Sequence, residues 1–171
     1  MKFKLTMAVV TLLTTGFLSA AAYADTLNFT LTSASGYAST SGGSVTYDAT
    51  VSAPSSNGAA IFLNGDSFNI TAPVTLSDSD FFLNFPFSLA PGASFTGDLF
   101  SLTVPAGTAI GTYLGSFTLL GGANGVASNS LGTVTFSVTT TPEPSSILLL
   151  LTGVAGLAWV CLLYTSPSPR D

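Results

Sequence analysis

The residues that could do chemistry in the centre of this 171-residue chain are almost all aspartates. Residues 25–141 contain no Lys, Arg, His or Cys, and their acidic side chains are Asp25, Asp48, Asp66, Asp78, Asp80 and Asp98. Without a general base, thiolate, amine or anion clamp, only paired carboxylates could catalyse a reaction, as in glycoside hydrolysis. Asp78 and Asp80 would share one side of an extended segment. Such residues more commonly belong to solvated turns, so we expect no enzyme activity.

The same acidic turns raise the question of calcium binding. Asn64, Asp66, Asp78 and Asp80 supply the hard oxygen donors that Ca²⁺ prefers, but no calcium-loop motif surrounds them. Asparagine and aspartate also favour turns by bonding their own backbone. We therefore expect neither a metal nor another cofactor. Nucleic acid is excluded as a partner, because phosphate neutralisation requires the cations that this segment lacks.

A second informative segment is Pro142-Glu143-Pro144, which precedes an apolar run over residues 147–160. Two prolines fix φ and disfavour helix before them, so residues 141–144 are predicted to be an extended connector. The apolar run predicts a helix suited to lipid, with a buried core helix or strand as the alternative. Together these features resemble the PEP-CTERM sorting signal of Gram-negative bacteria. In that family the tripeptide, a membrane-spanning helix and a basic tail are recognised by an exosortase, a membrane protease.

The resemblance, which covers residues 142–160, implies a destination for the chain. Pro142, Glu143 and Pro144 would form the sorting motif, and the partners would be an exosortase, the membrane and extracellular polysaccharide. The route would pass through an inner-membrane intermediate to the cell surface or the extracellular matrix.

The length of the apolar run suggests that the end of the chain is not native. Residues 147–160 span only about 21 Å as a helix, whereas a bilayer core needs about 30 Å. Residues 161–171 can be encoded codon for codon by a transposase-type sequencing adapter, and we expect them to be an artefact that replaced the natural end. The alternative is a natural tail in which Leu162 and Leu163 finish the span and Arg170 reaches the interface.

The N-terminal residues 1–24 have the pattern of a secretory signal peptide. Lys2 and Lys4 precede an apolar segment over residues 5–18, and the small residues Ala22 and Ala24 flank Tyr23. We expect cleavage after Ala24, with a retained membrane anchor as the alternative.

Residues 25–141 then remain as one domain, and their pattern predicts strands. Apolar residues alternate with polar ones in several segments, as at Val45, Tyr47, Ala49 and Val51, and turns rich in Gly, Pro and Asn separate them. Seven or eight short strands of this kind predict an all-β, antiparallel sandwich. Two stretches, at residues 91–107 and 111–119, resemble the last strands of immunoglobulin-like bacterial surface modules.

Four phenylalanines stand close together within this domain. On a regular strand over residues 81–85, Phe81, Phe85 and Phe87 would share one face and Phe82 the other, with Pro86 at a sheet edge or strand end. Core filling is the expected role, and an exposed ring that stacks on sugar is the alternative. The sequence thus predicts an exported structural or adhesive protein, with a carbohydrate-binding module as the second hypothesis.

Overall fold

The computed structural model describes residues 26–142 and 144–164, which form two β-sheets and two helices. The strands are β1 (Asn28–Leu31), β2 (Ser35–Ser39), β3 (Gly43–Ser52), β4 (Ile61–Ile70), β5 (Thr75–Ser77), β6 (Ser88–Leu89), β7 (Ser94–Val104), β8 (Gly111–Gly122) and β9 (Asn129–Thr141). The helices are α1 (Ser79–Asn84) and α2 (Pro144–Tyr164). The predicted signal peptide, with Ala22 and Ala24, lies outside the described residues, as do Glu143 and residues 165–171.

The two sheets face each other as a sandwich. One has four strands in the order β1-β3-β7-β5, and the other has five in the order β2-β9-β8-β4-β6. The alternation predicted along β3 is confirmed, since Tyr47, Ala49 and Val51 are buried while Asp48 between them is exposed. The apolar face of each strand therefore points between the sheets, and the polar face points to solvent.

One strand pair departs from the predicted antiparallel arrangement, because β2 runs parallel to β9. The link from β1 to β2 is short and contains no hairpin turn, so the chain crosses from one sheet to the other without reversing. β2 consequently lies at the edge of the second sheet and runs in the same direction as its neighbour β9. Every other strand pair in the described sheets is antiparallel.

The hydrophobic core is centred on four aromatic rings that come from both sheets. Phe100 stacks on Tyr47 with ring centroids 5.0 Å apart and on Phe117 at 5.1 Å, and its centroid lies 4.6 Å from that of Phe136. The Tyr47 hydroxyl donates a hydrogen bond of 2.6 Å to the Ser137 carbonyl on the opposite sheet. Aromatic pairs add about 0.5–1.5 kcal/mol beyond their buried area, so this cluster holds the two sheets together.

The turn predicted at Asn64-Gly65-Asp66 is wrong, because β4 runs through these residues with a bulge in its pairing to β8. A bulge tolerates turn-forming residues because its extra residue leaves the ladder. The freed Asn64 side chain donates hydrogen bonds to the carbonyls of Asn124 and Ala127, at 2.8 and 2.7 Å. The bulge therefore anchors the loop between β8 and β9.

The strand predicted over residues 81–85 is also wrong, since Ser79–Asn84 forms the short helix α1 and the fold is mostly rather than wholly β. The Phe81 amide donates to the Asp78 carbonyl, and the Phe85 amide donates to the Phe81 carbonyl. Helical spacing places Phe81 and Phe85 on one face. Phe81 is buried against Phe117 of β8, and Phe85 packs on Phe95 of β7.

Candidate functional site

The sorting motif predicted at residues 142–144 lies at a very short junction. Thr141 is the last residue of β9, where it pairs with Ser39, and Pro144 is already the first residue of α2. The predicted extended connector over residues 141–144 is therefore reduced to Pro142, which is exposed, and Glu143, which lies outside the described residues. Proline suits the first helical position because its missing N–H would have no partner there.

Helix α2 is long enough to cross a bilayer. Its 21 residues extend about 31 Å, close to the 30 Å of a hydrocarbon core. The helix does not end at Val160, as the predicted run does, but continues through Cys161 to Tyr164. The adapter origin of residues 161–171 stays a prediction.

The surface of α2 is apolar all round. Its segment Ile147–Tyr164 has a mean hydropathy of 2.3 and no buried residue. Leu148, Leu149, Leu150 and Leu151 follow one another and so occupy every side of the helix. The Thr152 hydroxyl donates a hydrogen bond of 3.0 Å to the Leu148 carbonyl, so this polar group has its partner within the helix. By length and composition, α2 can span a membrane.

The end of the sandwich from which the chain leaves for α2 is called here the exit end, and it consists of residues 40–42, 71–74, 105–110 and 140–141. Hydrogen bonds join its loops to the last strand. The Thr40 amide donates to the Thr141 carbonyl at 3.1 Å, and the Gly107 amide donates to the Thr40 carbonyl at 2.8 Å. The buried Thr140 hydroxyl donates to the Ala109 carbonyl at 2.5 Å and accepts from the Gly111 amide at 3.0 Å.

Aromatic side chains gather near the other end of the sandwich, and we call Phe62, Phe81, Phe82, Phe85 and Phe87 the distal aromatic cluster. Phe82 and Phe87 are 60% and 63% exposed, and they border a pocket of about 110 Å³. Phe62 pairs with Gly122 on β8, and the end of β8 in turn pairs with the start of β9. Core filling is thus confirmed for the buried Phe81 and, in part, for Phe85, while the rings of Phe82 and Phe87 remain available to a ligand.

The aspartates form two separate pairs and not the single acidic pair considered above. Asp78 hydrogen-bonds Asp66, whereas Asp80 accepts a hydrogen bond of 2.5 Å from the Ser101 hydroxyl. Asp48 and Asp98 lie opposite each other on the exposed face of β3 and β7. Within residues 26–142 and 144–164, no three His, Cys, Asp or Glu side chains converge on a position for a metal ion.

The surroundings of each pair raise the pKa of one of its two carboxyl groups. Burial first, and then the charge and hydrogen bond of Asp78, raise the pKa of Asp66 to about 6. The hydrogen bond from Asp48 is the main cause that raises the pKa of Asp98. Residues 25–141 contain no cation that could offset the repulsion between the paired carboxylates.

Hydroxyl groups cover much of the outer surface of both sheets. Cross-strand pairs of threonine side chains lie at hydrogen-bond distance, with 2.8 Å between the hydroxyls of Thr50 and Thr96 and 2.8 Å between those of Thr118 and Thr133. Each such pair stabilises a sheet by roughly 0.2–1 kcal/mol. They contribute polar, uncharged groups to the outer faces of both sheets.

Comparison with protein-family models and with curated protein sequences gives no match for this chain. The candidate surfaces therefore rest on the sequence and geometry given above. Sequence reasoning missed the roles of Thr140 and Asn64. Thr140 carried a signal, because it continues the inward-facing set of Phe136 and Val138, and a hydroxyl at a core position needs a partner. The glycine-rich stretch at residues 121–125 predicts a turn, but nothing in the sequence indicates that Asn64 contacts it.

Proposed function

We propose that this chain is an exported cell-surface or extracellular-matrix protein with a structural or adhesive role, sorted by an exosortase and associated with exopolysaccharide. The observation that carries the proposal is the apolar helix α2, which follows Pro142 and Glu143 directly at the end of a β-sandwich. A signal peptide over residues 1–24 would bring the chain to the membrane, and α2 would hold it there as an inner-membrane intermediate.

The strand order supports an immunoglobulin-like sandwich. When β1, β3, β4, β5, β7, β8 and β9 are lettered A to G, the sheets read A-B-E-D and G-F-C, the order of immunoglobulin domains. Sandwiches of this class host many unrelated functions, so the fold is compatible with the proposal without selecting it. The hydroxyl-rich faces suit a role in a hydrated polysaccharide matrix.

The sorting proposal is tested by replacing Pro142, Glu143 and Pro144 with alanine. The chain is expressed with its genomic C-terminal continuation, in hosts with and without an exosortase, and the released protein is examined by mass spectrometry. We expect release without α2 only in the exosortase host, and loss of release in the variant, because alanine lets the helix extend toward β9 and removes the recognition residues.

A matched control replaces Pro54, Ser55 and Ser56, a partly exposed proline and two exposed serines in a loop of the sandwich, with alanine. This variant should be released normally. Unchanged release of the junction variant, or intact α2 in the released protein, would reduce the C-terminal segment to a plain membrane anchor.

A second function, carbohydrate binding, is favoured by the distal aromatic cluster. The exposed rings of Phe82 and Phe87 flank a pocket of about 110 Å³, and aromatic faces of this kind can stack on sugar rings. Glycan-array binding that is lost in Phe82→Ala and Phe87→Ala, and kept in Tyr37→Ala, would support this function. Tyr37 is the control because it is 73% exposed and lies on β2, away from the cluster. No binding by the unmodified chain would exclude it.

A further inference from the structure

We propose that the exit end of the sandwich rests against the surface of the lipid bilayer, with the exposed side chains of Pro105, Ala106, Ala109 and Ile110 in the headgroup region. The inference rests on the proposed anchoring of the chain by α2. Besides the anchoring by α2, the sandwich itself would contact lipid. The opposite end of the sandwich, with the distal aromatic cluster, would then face away from the cell.

The first step is the length of chain between the sandwich and the apolar span. From Thr141 at the end of β9 to Pro144 at the start of α2, the chain extends at most about 11 Å. From Pro144 to Ile147, where the apolar span begins, the helix rises only about 4.5 Å. The end of β9 therefore lies within about 15 Å of the hydrocarbon core. The headgroup region itself occupies roughly 5–8 Å of that distance, so no further protein layer fits between.

The second step is the attachment of the loops to the last strand. The hydrogen bonds of Thr40, Gly107 and Thr140 join loops 40–42 and 105–110 to the last two residues of β9. The loops must therefore approach the membrane together with Thr141. A domain on a long flexible tether could stand off from the bilayer, but this one has no such tether.

The third step is the chemistry of the exit end. Residues 40–42, 71–74, 105–110 and 140–141 include no charged side chain, and Ile110 is 67% exposed, beside the exposed Pro105, Ala106 and Ala109. The aspartates at positions 48, 66, 78, 80 and 98 all lie elsewhere in the sandwich. Anionic lipid headgroups repel carboxylates, so the end of this acidic domain that would face lipid is the end without them. Glu143, in the connector, is the one acidic residue near this end.

The test places an environment-sensitive fluorophore at single cysteines in the full chain, reconstituted in vesicles of phosphatidylcholine and phosphatidylglycerol. Cys161→Ser removes the single cysteine of the chain, and Ile110→Cys, Val126→Cys or Leu157→Cys supplies the labelling site. Val126 is a matched control, since it is 88% exposed and lies in the loop between β8 and β9, beyond the other end of β9. Leu157 reports whether α2 itself is inserted. Lipids that carry a quencher either at the headgroup or at mid-bilayer depth lower the fluorescence of a nearby label, so the loss of fluorescence measures how close the label lies to each depth.

We expect headgroup-depth quenching at position 110 several-fold stronger than at position 126, and mid-bilayer quenching at position 157. Equal, weak quenching at positions 110 and 126, together with an inserted label at position 157, would overturn the contact of the exit end with lipid. The anchoring by α2 would still stand. A Leu157 label that no lipid quenches would overturn both the anchoring by α2 and this inference. In a companion experiment, Ile110→Asp should lower the quenching of a label at Ala106→Cys, and unchanged quenching would show that the loop does not enter the headgroup region.

Discussion

Thr140→Val should loosen the exit end without leaving a cavity. The two side chains have nearly the same shape, so the change removes only the hydroxyl that donates to the Ala109 carbonyl and accepts from the Gly111 amide. Because Ala109 is exposed, water can replace the donor at its carbonyl, whereas the Gly111 amide loses its partner at a half-buried site. Leaving one such group unsatisfied costs about 1–2 kcal/mol. For a domain of this size that corresponds to a melting temperature lower by roughly 4–8 °C.

The assay is thermal unfolding of the full chain in detergent, together with hydrogen exchange at the Gly111 amide. Thr140→Ser is the matched control, because it keeps the hydroxyl and loses a methyl group. We expect fast exchange at Gly111 in the valine variant and near-normal protection in the serine variant. Equal protection of the Gly111 amide in both variants would refute the role given to the hydroxyl, whatever the melting temperatures are.

Three other substitutions test interactions that determine the stability of the sandwich. Asp66→Asn should raise the free energy of unfolding at pH 7 by about 1 kcal/mol after allowance for solvent screening. The folded-state pKa of Asp66 is raised to about 6, so native stability falls as pH rises from about 4 to about 6, and the gain should vanish below pH 4 in urea titrations across this range. Gly121→Ala should cost more than about 3 kcal/mol, because a Cβ would overlap a backbone carbonyl on β4, whereas Gly65→Ala, with open space around it, should cost little; similar urea midpoints would contradict this. Tyr47→Phe removes the inter-sheet hydrogen bond to Ser137 and should lower stability by about 1–2 kcal/mol, and an unchanged urea midpoint would show that this bond contributes nothing.

The sequence predicted the sandwich well where one face of a strand is buried. Period-two alternation identified the inward-facing residues of β3, such as Tyr47 and Val51, because burial of one face leaves a clear pattern. Periodicity carries no information on the direction of pairing, so the parallel contact of β2 with β9 was not predictable. The segment that became α1 was ambiguous for another reason. Phe81 and Phe85 are four residues apart, a spacing that puts two side chains on one face of either a strand or a helix.

A candidate surface could be predicted from the sequence when consecutive residues form it, but not when residues far apart in the chain meet to form it. The apolar composition of α2 is a property of consecutive residues, so it can be read directly from residues 147–160. The exit end, by contrast, combines loops that are far apart in the chain and meet only through the pairing of β9 with β2 and β8. The acidic pairs are of the same kind, because Asp66 meets Asp78 only after α1 and β4 are in place.

The shortness of the junction limits how an exosortase could act on this chain. A protease needs its substrate peptide extended, and Pro142 with Glu143 supplies only about 7 Å of chain. More chain must come from the end of β9 or from the start of α2. Release of Thr140 and Thr141 from β9 would break the hydrogen bonds that hold the exit loops. The first turn of α2 unwinds more easily than the end of β9, because its leading amides have no partner within the helix and Pro144 has no amide hydrogen. Cleavage is therefore expected on the helix side of Glu143, with the sandwich released intact.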